Sequence, residues 1–149
     1  MELIIRPIKE KDNTAIAKMI RAVFIEHDAP QEGTVYSDAT IDDLFNYYKE
    51  KNAIGWVAEE NNLILGCCGI YPTGNLPKGC IELVKFYLPK EARGKGIGKK
   101  LMDKCIKSAK ELGYKQLYIE SIPHFSKAIS IYEKQGFKLL NQRLRSEEH

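Results

Sequence analysis

The chain of 149 residues has no long apolar run. Nothing in it approaches the roughly 18 to 20 consecutive apolar residues that cross a bilayer. Its start, Met1-Glu2-Leu3-Ile4-Ile5-Arg6-Pro7, has neither the basic opening nor the apolar core of a secretion signal. Membrane insertion and secretion are therefore not expected, and the cytosol is the expected setting. Metal-binding patterns are missing too. The four cysteines, Cys67, Cys68, Cys80 and Cys105, form no C-x-x-C pair, and no histidine stands at ligand spacing from any of them. Neither a metal site nor a disulfide framework is expected. Cys67 and Cys68 are neighbours in an apolar run, so on a strand they would face opposite sides as reduced, buried thiols. Internal repeats, linkers and low-complexity segments are absent. A chain of this length is expected to form one domain spanning residues 1–149.

What is present is ordinary in bulk and unusual in places. Hydrophobic residues make up 44% and charged residues 29%, the balance of a soluble globular protein. The net charge of +3 is too small to point to a nucleic-acid partner. Its distribution is uneven, because Lys85, Lys90, Arg93, Lys95, Lys99, Lys100, Lys104, Lys107 and Lys110 crowd into one stretch. Such a run is either a solvated helix face or a landing place for an anion. No aromatic residues interleave with the helix lysines Lys99, Lys100, Lys104, Lys107 and Lys110, which argues against single-stranded nucleic acid.

Periodicity orders the elements. Leu3 to Arg6 reads as a strand, and Asp12 or Asn13 can cap a helix burying Ile16, Met19, Ile20, Val23 and Phe24. His27 to Asp38 lacks periodicity and reads as a loop, after which Thr40, with Asp43 three residues on, resembles a capping box opening a helix through Tyr48. Ile54 to Glu59 and Leu63 to Tyr71 flank Glu60-Asn61-Asn62 as a hairpin. Cys80 to Leu88 is a further strand. Gly98 to Leu112 carries Leu101, Cys105, Ala109 and Leu112 at helical spacing, with Gly113 placed to end the helix. Gln116 to Ile122 reads as a strand, Ser126 to Gln135 as a helix and Phe137 to Leu140 as a strand. The fold class is mixed α/β, with a strand-helix-strand crossover between Cys80 and Ile122.

Between a strand and a long helix lies Arg93-Gly94-Lys95-Gly96-Ile97-Gly98. Glycines let the backbone turn tightly and approach a ligand closely, and a helix start offers unpaired N–H groups and the positive end of its dipole. The segment suits a diphosphate, with Arg93, Lys95 and Lys99 available for charge-assisted contacts. A dinucleotide fingerprint would need glycine where Lys99 stands, and a P-loop would need Ser or Thr after Gly98-Lys99 where Lys100 stands.

The sequence resembles the GNAT superfamily of acetyl-CoA dependent N-acetyltransferases. Its pyrophosphate signature, Arg or Gln, two residues, Gly, one residue, Gly or Ala, is matched by Arg93 to Gly98. Glu82 to Leu88 resembles the family's fourth strand, and Tyr132-Glu133-Lys134-Gln135-Gly136-Phe137 resembles its Tyr-x-Lys-x-Gly-Phe segment. The resemblance implies a mostly antiparallel mixed sheet flanked by helices and splayed between strands 4 and 5. It implies acetyl-CoA as cosubstrate, held by main-chain groups of Phe86, Tyr87 and Leu88 and by the loop residues Arg93, Gly94, Lys95, Gly96, Ile97, Gly98 and Lys99. It implies Tyr132 as the proton donor to the departing sulfur and the Leu88 N–H as the oxyanion donor. Glu120 or Glu82 would be the base. Glu120 lies twelve residues before Tyr132, as the base does in ribosomal-protein alanine acetyltransferases. A strand glutamate facing solvent is the bland alternative for both carboxylates.

Two departures accompany the resemblance. Phe125 stands where many members carry a cofactor-contacting Asn. The charged end, Arg143 to His149, is poor strand material where the family usually adds another strand. A strand lent by a second copy, and so a homodimer, is one way to complete that edge. The acceptor implied is a small-molecule or peptide amine, with no membrane partner. A non-catalytic acetyl-CoA sensor is the alternative function.

Overall fold

The computed structural model describes residues 2–26 and 38–119. Its centre is a hairpin. Strand β2 (Ile54–Glu60) and strand β3 (Leu63–Tyr71) pair antiparallel. They are joined through Asn61 and Asn62, at φ 56° and 66°. Two successive left-handed residues twist a two-residue turn in the sense of the strands, and asparagine tolerates that conformation better than other non-glycine residues. Strand β1 (Ile4–Pro7) pairs antiparallel with β2, and strand β4 (Cys80–Tyr87) antiparallel with β3. Strand β5 (Gln116–Ile119) pairs parallel with β4. The sheet order follows the chain, β1-β2-β3-β4-β5. The parallel pair is linked by helix α3 (Ile97–Glu111), the crossover expected from the sequence.

Strand alternation divides the interior into two cores. On one face Ala58, Cys68, Ile70, Ile81 and Leu83 meet Leu101, Met102, Cys105 and Ala109 of α3. On the other, Val57 and Cys67 meet Ile16, Met19, Ile20 and Phe24 of helix α1 (Asn13–Glu26), with Ile41, Leu44 and Tyr48. The adjacent thiols Cys67 and Cys68 fall on opposite faces, as period-two geometry requires, and all four cysteines are free. Gly55 and Gly69, paired across β2 and β3, leave room for the Tyr48 ring, which a Cβ at either position would overlap.

The structure corrects three local expectations. Asp12 does not cap α1: it closes a 3-10 turn over Glu10–Asp12 by accepting from the Lys9 N–H at 2.7 Å, and Arg6 grips it at 2.8 and 2.9 Å. The Asn13 side chain accepts from the N–H of Phe45 instead. Nor does Thr40 open the second helix. Asp38 accepts from the Thr40 N–H to start a 3-10 turn over Ala39–Asp43, and Asp43 accepts from Asn46 N–H to start helix α2 (Leu44–Tyr47). Carboxylates occur at both starts because they accept from orphan N–H groups more strongly than a hydroxyl does. Leu112 is the C-cap of α3 and 39% exposed, while Met102 joins Leu101 and Cys105 in the core. Strand Gln116 to Ile122 is described as far as Ile119. The loop His27 to Asp38 falls outside the described residues except for Asp38, and so do the helix Ser126 to Gln135 and the strand Phe137 to Leu140.

Candidate active site

The site begins with a fault in the β3–β4 ladder. Cys67 pairs with Tyr87 and Gly69 with Val84, so three steps along β4 span two along β3. The extra residue is accommodated at Lys85, whose φ is 53°. A bulge of this kind bends and twists the strand that carries it. It therefore redirects Phe86, Tyr87 and Leu88 after β4 has paired with β5 over Cys80–Leu83. Side chains hold the bend. The Cys67 thiol donates to the Lys85 carbonyl at 3.2 Å, and burial pushes that thiol up to about 12, so it remains a donor at neutral pH. The Lys85 ammonium lies 3.5 Å from an Asp38 carboxylate oxygen and 5.2 Å from the centre of the Tyr47 ring. Burial by itself would raise the Asp38 carboxyl, but the Thr40 N–H and Lys85 outweigh it and hold the group below its ordinary value. Burial raises the Tyr87 phenol far above its usual range, so Tyr87 stays neutral beside Phe24.

Beyond the bend, Pro89 ends the strand and a 3-10 turn over Lys90–Ala92 leads to the glycine loop. Gly94 and Gly96 each have φ 79°, and a Cβ built at either position would meet nothing within 4 Å. Gly96 is the N-cap of α3 and Ile97 its first residue. The loop is thus open on its outer side and ends on the unpaired N–H groups of a 15-residue helix. Lys95 and Lys99 are exposed, with Lys99 2.8 Å from Asp103 one turn on. The Arg93 guanidinium reaches Glu26 and the Leu88 carbonyl. Gly66 lies beneath the end of the bend: a Cβ there would stand 2.9 Å from Leu88 Cδ2 and 3.2 Å from the Tyr87 carbonyl.

Glu82 is not a solvent-facing glutamate. It is 3% exposed, lies directly opposite Tyr71 on β3 and Tyr118 on β5, and accepts from the Thr73 hydroxyl at 2.5 Å. A glutamate so deeply placed is uncommon in a core. Tyr71 in turn stacks on Tyr47, with ring centres 4.3 Å apart. Glu120 and Tyr132 fall outside the described residues. Among the described residues no group of three or more His, Cys, Asp or Glu could hold a metal ion. No helix among them is long and apolar enough to cross a membrane.

Several participants were not visible in the sequence. Gly66 carried a signal, a glycine inside a strand pattern, which often marks a close backbone approach. Glu26, Cys67 and Asp38 carried none, since their partners lie 67, 18 and 47 residues away.

In this chain a bulged strand leads to a glycine loop on a helix start. The family model described as Acetyltransferase (GNAT) family matches residues 21–137. The chain belongs to the GNAT family of acetyltransferases. It is 32% identical over 142 residues to the uncharacterized N-acetyltransferase YjgM of Escherichia coli, covering 95% of this chain and 85% of that one. Its fold is similar to a GNAT-family acetyltransferase from Staphylococcus aureus Mu50, with a TM-score of 0.81 at 23% identity over 92% of this chain and 85% of the other. It is also similar to a predicted acetyltransferase from Clostridium acetobutylicum crystallised with acetyl-CoA, with a TM-score of 0.74 at 21% identity over 99% of both chains. The GNAT assignment agrees with the mixed, mostly antiparallel sheet, and it makes the chain an acetyltransferase.

Proposed function

We propose that this GNAT enzyme transfers an acetyl group from acetyl-CoA to a primary amine by direct attack while both substrates are bound. The observation that carries the reading is the pair of left-handed glycines, Gly94 and Gly96, opening onto the first turn of α3. Left-handed residues turn successive N–H groups toward a common point, and the helix dipole adds partial positive charge there, which suits a diphosphate. The loop from Gly94 to Lys99 would hold that group, and the redirected edge at Phe86, Tyr87 and Leu88 would receive the pantetheine arm as an added strand. Acetyl-CoA, when bound, supplies an activated thioester.

The remaining chemistry falls to the chain. An ammonium acceptor must lose a proton before it can attack, and Glu120 or Glu82 would take it. Glu82 has burial and a fixed hydroxyl partner in its favour, since both restrict its carboxylate to one orientation. Tyr132 would return a proton to the departing sulfur, and the Leu88 N–H would face the carbonyl oxygen. The four free thiols, three of them buried, suit a reducing compartment and support a cytosolic setting. Residues 1–149 are read as one GNAT domain acting on a small-molecule or peptide amine, without a metal.

Free-thiol release with a panel of polyamines, amino acids, aminoglycosides and peptide N-termini tests the activity and finds the acceptor. Glu120→Gln and Glu82→Gln then identify the base. The true one should lower turnover by about 100 to 10,000-fold with acetyl-CoA still bound. Full turnover in both variants would remove both carboxylates from the mechanism.

A further inference from the structure

Arg93 opens the glycine loop, where its charge alone would assign it to phosphate oxygens. Its hydrogen bonds run elsewhere. Nη1 and Nη2 donate to the two carboxylate oxygens of Glu26 at 2.6 and 2.8 Å. Nε and Nη2 donate to the Leu88 carbonyl at 3.2 and 2.9 Å. Glu26 is the last residue of α1, and Leu88 directly follows β4. One planar group therefore joins a helix end, a strand end and the head of the loop. The guanidinium fork fixes direction as well as distance, which an ammonium could not do.

The Leu88 carbonyl needs such a partner. Pro89 follows it, and proline prevents the strand from continuing normally. The bend at Lys85 has already taken this stretch out of regular register with β3. The segment is consequently anchored at two points: the Cys67 thiol holds the carbonyl of Lys85, and Arg93 holds that of Leu88. Gly66 lets Leu88 lie close against β3 between them. The two anchors flank Phe86 and Tyr87 and fix the course of the main chain between them.

We infer that Arg93 and Glu26 form a clasp that positions the Phe86–Leu88 edge for the pantetheine arm, and that Arg93 is a positioning residue for that edge, not a ligand of the diphosphate. The inference rests on the proposed acetyl-CoA reading and makes a separate prediction. A phosphate ligand acts alone and affects every ligand that carries the diphosphate. A clasp acts as a pair and affects only ligands that carry the arm.

The test is calorimetry on the full chain with two probes, acetyl-CoA and adenosine 3′-phosphate 5′-diphosphate, which keeps the phosphates and lacks the arm. Glu26→Ala and Arg93→Ala should each weaken acetyl-CoA about tenfold, the scale of one charge-assisted hydrogen bond. The double variant should be no weaker than either single one, because the two residues form a single unit. Binding of the diphosphate probe should be unchanged in all three. Glu26→Gln, which preserves the shape of the carboxylate, should give a smaller loss confined to acetyl-CoA, and it stands in if an alanine variant does not fold. Weakening of both probes by Arg93→Ala, with none by Glu26→Ala, would make Arg93 a phosphate ligand and overturn the clasp. Unchanged acetyl-CoA binding in every variant would overturn it as well. Wild-type protein that binds neither probe would instead refute the acetyl-CoA reading, and the clasp with it.

Discussion

Replacing Gly96 by alanine separates the cost of the loop's backbone from its use. The native φ of 79° is left-handed, and a Cβ at this position would touch nothing within 4 Å. Steric clash inside the protein is therefore absent, and the stability cost reduces to holding an L-residue in that conformation, about 1 to 2 kcal/mol. For a chain of this size about 1 kcal/mol lowers the thermal midpoint by roughly 2 to 4 °C. Gly113 supplies a matched control. It has φ 93°, it too has open space around the missing Cβ, and it lies at the other end of α3. Gly96→Ala and Gly113→Ala should thus melt at similar, slightly lowered temperatures. They should differ in acetyl-CoA affinity, because only the methyl at position 96 occupies the space in front of the helix N-terminus. A lost close approach to one phosphate oxygen is a lost charge-assisted hydrogen bond, about 1.5 to 3 kcal/mol or some 10 to 150-fold in Kd. Isothermal calorimetry beside a thermal melt reads both quantities. Equal affinities in the two variants would refute the assignment of the loop as the diphosphate site.

Other perturbations address the framework. Burial by itself would raise the Asp12 carboxyl, but the Arg6 guanidinium and the Lys9 N–H outweigh it and hold the group below its ordinary 3.8. Its contribution is therefore complete above that value and is lost as pH falls through the lower folded value. Urea midpoints should fall more steeply between pH 5 and pH 3 in wild type than in Asp12→Asn, and equal slopes would count against the Arg6–Asp12 pair as the acid-sensitive element. Gly69→Ala would drive a methyl into the buried Tyr48 ring and should cost about 1 to 3 kcal/mol by chemical denaturation. A neutral result would mean that Tyr48 moves freely. Leu101→Ala, from the centre of the α3 core, should cost about 2 to 5 kcal/mol in the same assay, and a smaller loss would mean that the α3–sheet core closes over the gap.

Much of this molecule is decided within short windows of sequence. The apolar spacing of α1 and α3 specifies their buried faces, because a helix returns a side chain to the same side every three or four residues whatever surrounds it. Asn61-Asn62 specifies the hairpin, and the alternating glycines specify a loop able to turn left-handed before a helix, since both depend on local backbone sterics. Packing decided the rest. The bulge at Lys85 depends on how β4 lies along β3, and the depth of Glu82 on having Tyr71 on one side and Tyr118 on the other. Which carboxylate caps which turn followed from the way α2 meets the start of α1, where Asn13 reaches both Asp43 and Phe45. The partner of Arg93 could not be read from its own neighbourhood, because Glu26 precedes it by 67 residues and becomes its neighbour only when α1 packs across the sheet beside β4. Local sterics act through covalent proximity and so are written in the sequence. Charge pairing and burial act through space, which only the assembled sheet supplies.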